Sequence, residues 1–319
     1  MVLSELTDEI KERKIKETAV VINCYNHKQF VKEAVYSVLN QTYQDFDVIF
    51  FDNNSTDFSY HEVMDILKEP NSKLLGSMQL IQTKFNYRID EVLPIGIARW
   101  LAVQEALKKE YKYIAIVDAD DFWTVDKLEK QIKVFKDNPE VKLVFSDCYY
   151  LHWEEVMEQV ENYPAWIEEK KFNKVLPDTF HKKYKPKMKK PFWKLLTKYN
   201  FMPCPTLVFE ADALREVIGK PMHYTAAEDY DWILKMTSKF KCAYIKEPLA
   251  YYRIHADQIT QKTRARCTAE EIDVVKRAVD FKVLSRNQGM RVWIHLLWLY
   301  IKLLFKELAE AEDKIRSMK

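Results

Sequence analysis

The stretch at residues 111–123, YKYIAIVDADDFW, decides the fold. Its middle, residues 113–117, is a short apolar run with β-branched residues, which reads as a buried strand. The run stops at Asp118-Ala119-Asp120-Asp121, and residues 124–135 follow with helical spacing of their apolar positions. A buried strand that ends in acids and hands over to an amphipathic helix is one unit of an α/β sheet.

Outward from this unit the same alternation recurs. Upstream, strands are predicted at 18–24 (TAVVINC), 46–51 and 78–83, with helices at 29–40 and 95–107. Downstream, strands are predicted at 141–145, 206–209 and 242–245, with helices at 211–218, 227–240 and through 269–319. The fold class is therefore α/β, a mostly parallel sheet flanked by helices, with a helical C-terminal appendage. Ligands of such sheets sit beyond the carboxyl ends of the strands. Cys24-Tyr25-Asn26, Asp52 and Asp118 all fall at such ends, so three strand termini are expected to share one crevice.

Composition narrows the chemistry. The chain has 319 residues, 48% apolar and 31% charged, and a net charge of +2 that names no partner. Its four glycines, Gly76, Gly96, Gly219 and Gly289, lie far apart, which excludes both a GxGxxG fingerprint and a Walker loop. A bound nucleotide must then be held by side chains and a metal. Five cysteines without a CxxC pair argue against a disulfide framework and for a reducing compartment. Carboxylates at a strand end are natural ligands for Mn²⁺ or Mg²⁺ carrying a diphosphate. An acidic turn favouring a helix N-terminus is the structural alternative.

Three segments, in order, resemble family 2 glycosyltransferases of the GT-A fold. AVVINCYNHKQFVKEAVYSVLNQTYQDFDVIFFDNNSTD (19–57) resembles that family's opening strand, PTYN loop, SVLxQTY helix and D(D/N)xSTD turn. IGIARWLAVQEALKKEYKYIAIVDADDFW resembles its ARNxGI helix and DxD strand, and EDYDWILKMTSKFKCAYIKEPLAYYRIH its late ED helix and PLxxYRxH run. The resemblance covers roughly residues 18–260. It implies single-displacement transfer from a nucleotide-sugar, with UDP expected, to a hydroxyl of a glycan or lipid-linked acceptor.

The resemblance also implies roles. Asp118 and Asp120, with Ala119 between them, would hold donor and metal, and His255 would complete the metal site. Asp121 would shape the turn. Asp52 would accept the uracil N3–H, and Tyr25 would pack on the base beside Cys24 and Asn26. Arg99 would reach the uracil or diphosphate. Asp229 would be the catalytic base, with Asp231 next in line. Thr225 and Glu228 have capping-box spacing, which gives Glu228 a structural role. The sequence departs from the family at Asn23-Cys24, in place of Pro-Thr, and at Trp100, in place of Asn.

The expected organisation is a helical lead-in at 1–17, a transferase domain at 18–260 with an insertion at 150–200, and a helical region at 261–319. The lead-in lacks the apolar core of a signal peptide. Residues 168–198 hold eleven lysines, no arginine and three acids. Residues 292–305 (VWIHLLWLYIKLLF) are almost wholly apolar, yet as a helix they reach only about 21 Å, short of a bilayer core. Residues 168–198 and 291–306 together suggest peripheral contact with the inner face of a membrane. Docking on the catalytic domain or on a second copy is the alternative for 291–306. No nucleic-acid partner is expected. A competing function is a degenerate domain that binds glycan or nucleotide as a scaffold.

Overall fold

The computed structural model describes residues 15–68, 78–84, 95–153, 191–220, 223–281 and 284–317. The lead-in up to residue 14, the loop at 85–94 and the lysine-rich stretch up to residue 190 lie outside the described residues. In chain order the elements are β1 (Thr18–Cys24), α1 (Lys28–Leu39), β2 (Phe46–Asp52), α2 (Ser59–Lys68), β3 (Met78–Gln82), α3 (Ile95–Leu107), β4 (Tyr113–Asp118), β5 (Phe122–Trp123) and α4 (Lys127–Asp137). They continue with β6 (Val141–His152), α5 (Pro191–Thr197), β7 (Val208–Glu210), α6 (Ala211–Ile218), α7 (Glu228–Lys239), β8 (Lys241–Ile254), α8 (Ile259–Lys262), α9 (Arg264–Ala278) and α10 (Arg286–Ser317).

One sheet runs β3-β2-β1-β4-β7-β6-β8-β5. β1, β2, β3 and β4 pair in parallel, as do β6 and β8, whereas β7 and β5 pair antiparallel with their neighbours. All seven residues of β1 are buried. Both of its faces are covered, which is why it reads as a continuous apolar run rather than an alternating one. Each buried valine or isoleucine there contributes roughly 1.5–3 kcal/mol.

Register places the crevice. Cys24 lies opposite Asp52, and Asn23 lies opposite Asp118, so the ends of β1, β2 and β4 are level. β6 and β8 run well beyond the predicted 141–145 and 242–245. Their pairing shifts register around Asp147 and continues to His152 and Ile254. Bulges of this kind bend a strand and re-aim its side chains. Past this irregularity, Arg253 near the end of β8 meets Asp120 and Asp121 just beyond β4.

The helix predicted from Ala227 starts at Glu228, with no side-chain cap at Ala227. The capping box expected between Thr225 and Glu228 is absent. The Thr225 and Ala226 amides instead donate to the carboxylate of Glu270 on α9, at 2.7 and 3.0 Å. A helix remote in sequence outcompetes the local cap and anchors the loop that leads into α7.

Candidate active site

A cleft of about 540 Å³ opens at the level strand ends. This falls within the usual size range of small-molecule sites. Its lining includes Asn23 and Tyr25 from the β1 end, Arg99 from α3, the Asp118–Asp121 turn and Asp229 from the first turn of α7. Pro203 and Cys204 form another part of the wall. The Cys204 segment is fixed from behind by Trp123, whose indole donates to the Pro205 carbonyl at 2.8 Å. Burial pushes the Cys204 thiol well above its ordinary range, which suits a structural thiol rather than a nucleophile.

The three acids of the turn have different surroundings. Asp118 accepts two hydrogen bonds from Arg99 Nη2, at 2.6 and 2.7 Å. Asp120 faces two imidazoles, with His255 Nε2 at 3.2 Å and His27 Nε2 at 3.9 Å from its Oδ2. Burial opposes its ionisation, but the two histidines outweigh burial and hold its carboxyl below the ordinary range. Asp121 is buried and accepts the Arg253 amide at 2.9 Å. Burial, then the neighbouring Asp120 and Asp118 charges, push it well above the ordinary range. Three crowded carboxyls cannot all ionise freely. Asp118 is matched by Arg99 and Asp120 by the two imidazoles, and Asp121 ties the turn to β8.

Arg253 buttresses the turn. Its guanidinium is fully buried, pairs with Glu33 and donates to the Asp120 carbonyl at 2.6 Å. The rings of Phe30, Phe122 and Trp153 surround it, with centroids 4.6–5.1 Å away. Such stacking suits the planar guanidinium and holds it in place.

Arg99 links the turn to α7. It is 5% exposed and pairs with both Asp118 and Glu228. Burial works against its charge, but Asp118 and the nearby Asp229 overcome that and hold it firmly protonated. Asp229 is half-buried, lines the cleft and accepts the Tyr230 amide at 2.6 Å. Burial raises its carboxyl to about 6, although Arg99 pulls the other way. A carboxylate tuned close to neutrality is suited to taking a proton.

Other expected site residues stand elsewhere. Asp52 is fully buried. Its carboxylate accepts from the Ser55 amide and Gln82 Nε2, both at 3.0 Å, and its neighbour Asn53 lines the cleft. Cys24 is likewise fully buried. Asn26 has φ 54° and accepts the Thr56 amide at 2.8 Å, so it joins two loops. Asp231 is neither solvated nor in the cleft. It is 1% exposed and pairs with Lys235 at 2.6 Å. Two contributors escaped sequence reasoning. His27 sits one residue beyond the CYN loop, and Arg253 lies two residues before His255. His27 had only its place beside the CYN loop as a signal, whereas Arg253 is the arginine of the PLxxYRxH run itself.

The sequence model of glycosyl transferase family 2 matches residues 19–196. An uncharacterized glycosyltransferase of Methanocaldococcus jannaschii is 29% identical over 242 residues, covering 74% of this chain and 70% of that protein. WfaP of Escherichia coli, a UDP-Glc:α-D-GlcNAc-diphosphoundecaprenol β-1,3-glucosyltransferase, is 25% identical over 243 residues, covering 76% and 79%. Among solved structures, Staphylococcus aureus TarS 1–349 with UDP superposes with a TM-score of 0.57 at 13% identity, covering 86% of this chain and 69% of that one. The Pyrobaculum calidifontis mannosyltransferase PcManGT, solved with GDP-Man and Mn²⁺, gives 0.59 at 13% identity, covering 98% and 82%. These two structures share the curled, mostly parallel sheet described above.

Proposed function

This chain belongs to glycosyl transferase family 2, and on that premise we propose that it is a metal-dependent, inverting transferase that uses Asp229 as its base. The carrying observation is that Asp229 lines the same cleft as the Asp118–Asp120 turn and that Arg99 bridges the two. The donor is a nucleotide-sugar. A UDP-sugar is favoured, because WfaP acts on UDP-Glc and TarS binds UDP.

The donor set fits a divalent cation. Asp120, His27 and His255 offer ligand atoms within 4.8 Å of one another, and Asp118, Asp120 and Asp121 form a second such group. His255 is buried, and its Nδ1 has no hydrogen-bond partner among the described residues. Because Arg99 already engages Asp118, the favoured set is Asp120 with the two imidazoles. One carboxylate and two imidazoles suit Mn²⁺ better than Mg²⁺, which prefers all-oxygen shells. When bound, the cation supplies positive charge to the departing nucleoside diphosphate.

The chain's own residues then divide the work. Tyr25, Asn23 and Asn53 bound the nucleoside end of the cleft. Arg99 fixes the spacing between Asp118 and α7. Asp229 takes the proton of the acceptor hydroxyl as its oxygen bonds to the anomeric carbon. The bond from that carbon to the diphosphate oxygen breaks, and the electron pair leaves with the diphosphate. A single displacement inverts the anomeric centre.

A thermal-shift panel of nucleotide-sugars with and without Mn²⁺ tests the reading. UDP-sugars should raise the melting temperature only with metal, and His27→Ala should weaken that shift. Absence of both metal-stimulated binding and donor hydrolysis would instead favour a nucleotide- or glycan-binding scaffold.

A further inference from the structure

α10 carries an apolar face that nothing among the described residues covers. Its inner side, Val292, Leu296 and Leu299, is buried where the helix packs on α9 and α5. Its outer side presents Trp293 at 74% exposure and Phe305 at 67%, with Ile294, Leu297, Trp298 and Ile301 between them. At 100° per residue these outer positions share an arc of about 140°. From Met290 to Leu308 the exposed apolar strip is about 27 Å long. Soluble monomers seldom leave a strip of that size bare.

Charge and geometry select the occupant. No acid occurs from Arg286 to Lys306. Arg286 and Arg291 are exposed, and Lys276 of α9 extends over the Tyr300 ring at 5.1 Å. Up to Lys306 this border is basic, with Glu307 only at its C-terminal end, so it complements an anionic lipid surface and offers the same stretch of a second copy little counter-charge. Trp293, Trp298 and Tyr300 are amphipathic aromatics of the kind that settle at headgroup level. No helix among the described residues is long and apolar enough to cross a membrane. A strip of this kind therefore lies along a bilayer rather than through it.

The same helix is pinned to the rim of the cleft. Lys306 Nζ donates to Thr268 Oγ1 at 2.8 Å and to the Arg264 carbonyl at 3.0 Å, and Glu310 accepts the Ala265 amide at 2.9 Å. Gln258, Ile259, Thr260 and Thr263, immediately before this point, line the cleft. We propose that the outer face of α10 docks on an anionic bilayer and sets the cleft mouth beside it, so that the acceptor is membrane-borne. The identity of the acceptor rests on the glycosyl-transfer reading, whereas the docking does not.

Co-sedimentation of the full chain with phosphatidylglycerol-containing and pure phosphatidylcholine vesicles tests the docking. Binding should require the anionic lipid and fall with salt. Trp293→Glu/Leu297→Glu/Phe305→Glu should bind at least roughly tenfold more weakly, given the apolar area each side chain buries. Trp293→Ser and Phe305→Ser, checked by circular dichroism, provide milder forms if the triple variant misfolds. Hydrolysis of a soluble nucleotide-sugar should be unchanged in these variants, and its absence from the wild type would count against the transfer reading alone. No anionic-vesicle binding by the wild type, or equal binding by the variants, overturns the proposal. So does a stable dimer that these substitutions dissociate.

Discussion

Replacing Arg99 by Met removes the side chain that bridges the Asp118 turn and α7. Glu228 is 2% exposed and would be left desolvated and without its counter-charge if the guanidinium were removed. Stripping one partner from a buried pair costs about 3–5 kcal/mol, because the remaining charge is left desolvated. In a chain of this size that corresponds to a drop in melting temperature of about 4–8 °C. Asp118 loses the same partner but is better solvated, with 21% of its side chain exposed, so the cost falls mainly on Glu228. Arg99→Met/Glu228→Gln should then recover more than half of the loss. Urea unfolding of the wild type, both single variants and the double variant gives the coupling directly. Arg99→Met should also raise the Asp229 carboxyl above about 6, since Arg99 is the cation that holds it down. Arg99→Lys should keep most of that effect. A single-variant cost below about 1 kcal/mol, or a double variant no better than Arg99→Met, would refute the reasoning.

Two further outcomes follow from buried titratable groups. Lys127 is fully buried, its Nζ lacks a hydrogen-bond partner among the described residues and lies 3.9 Å from the Trp123 ring centre, and burial pushes its amine well below the ordinary range. Lys127→Met should therefore stabilise the fold by about 1–3 kcal/mol in urea titrations with donor hydrolysis intact, and a loss of stability would show that the amine is satisfied. Asp229 must be ionised to accept a proton, so kcat/KM should rise with pH through a midpoint of about 6, and a flat profile from 5 to 8 would contradict the assignment.

Much of this site was legible because its parts are local. The apolar runs of β1 and β4 and the acids at the end of β4 are contiguous, and a parallel sheet makes strand ends level automatically. Asp118, Asp120, His255, Arg99 and Asp229 thus assemble around one cleft. What stayed hidden depends on distant partners. Thr225 and Glu228 have the spacing of a cap, yet Glu270 takes the amides and Arg99 takes the acid. Asp52 ends its strand as expected, but Gln82 on β3 and Ser55 occupy its oxygens. The extensions of β6 and β8 needed the bulge at Asp147, which no periodicity reports. His27 joins Asp120 only once α1 is docked against β5 and against Arg253 near the end of β8.

The most direct test is Asp229→Asn. The substitution is nearly isosteric and removes a carboxyl that burial already disfavours in its charged form, so the fold should hold. Titration calorimetry should show Mn²⁺-dependent UDP binding close to that of the wild type, while inverted transfer to an acceptor hydroxyl should vanish. Normal turnover in Asp229→Asn, or loss of nucleotide binding with the fold intact, would contradict the account.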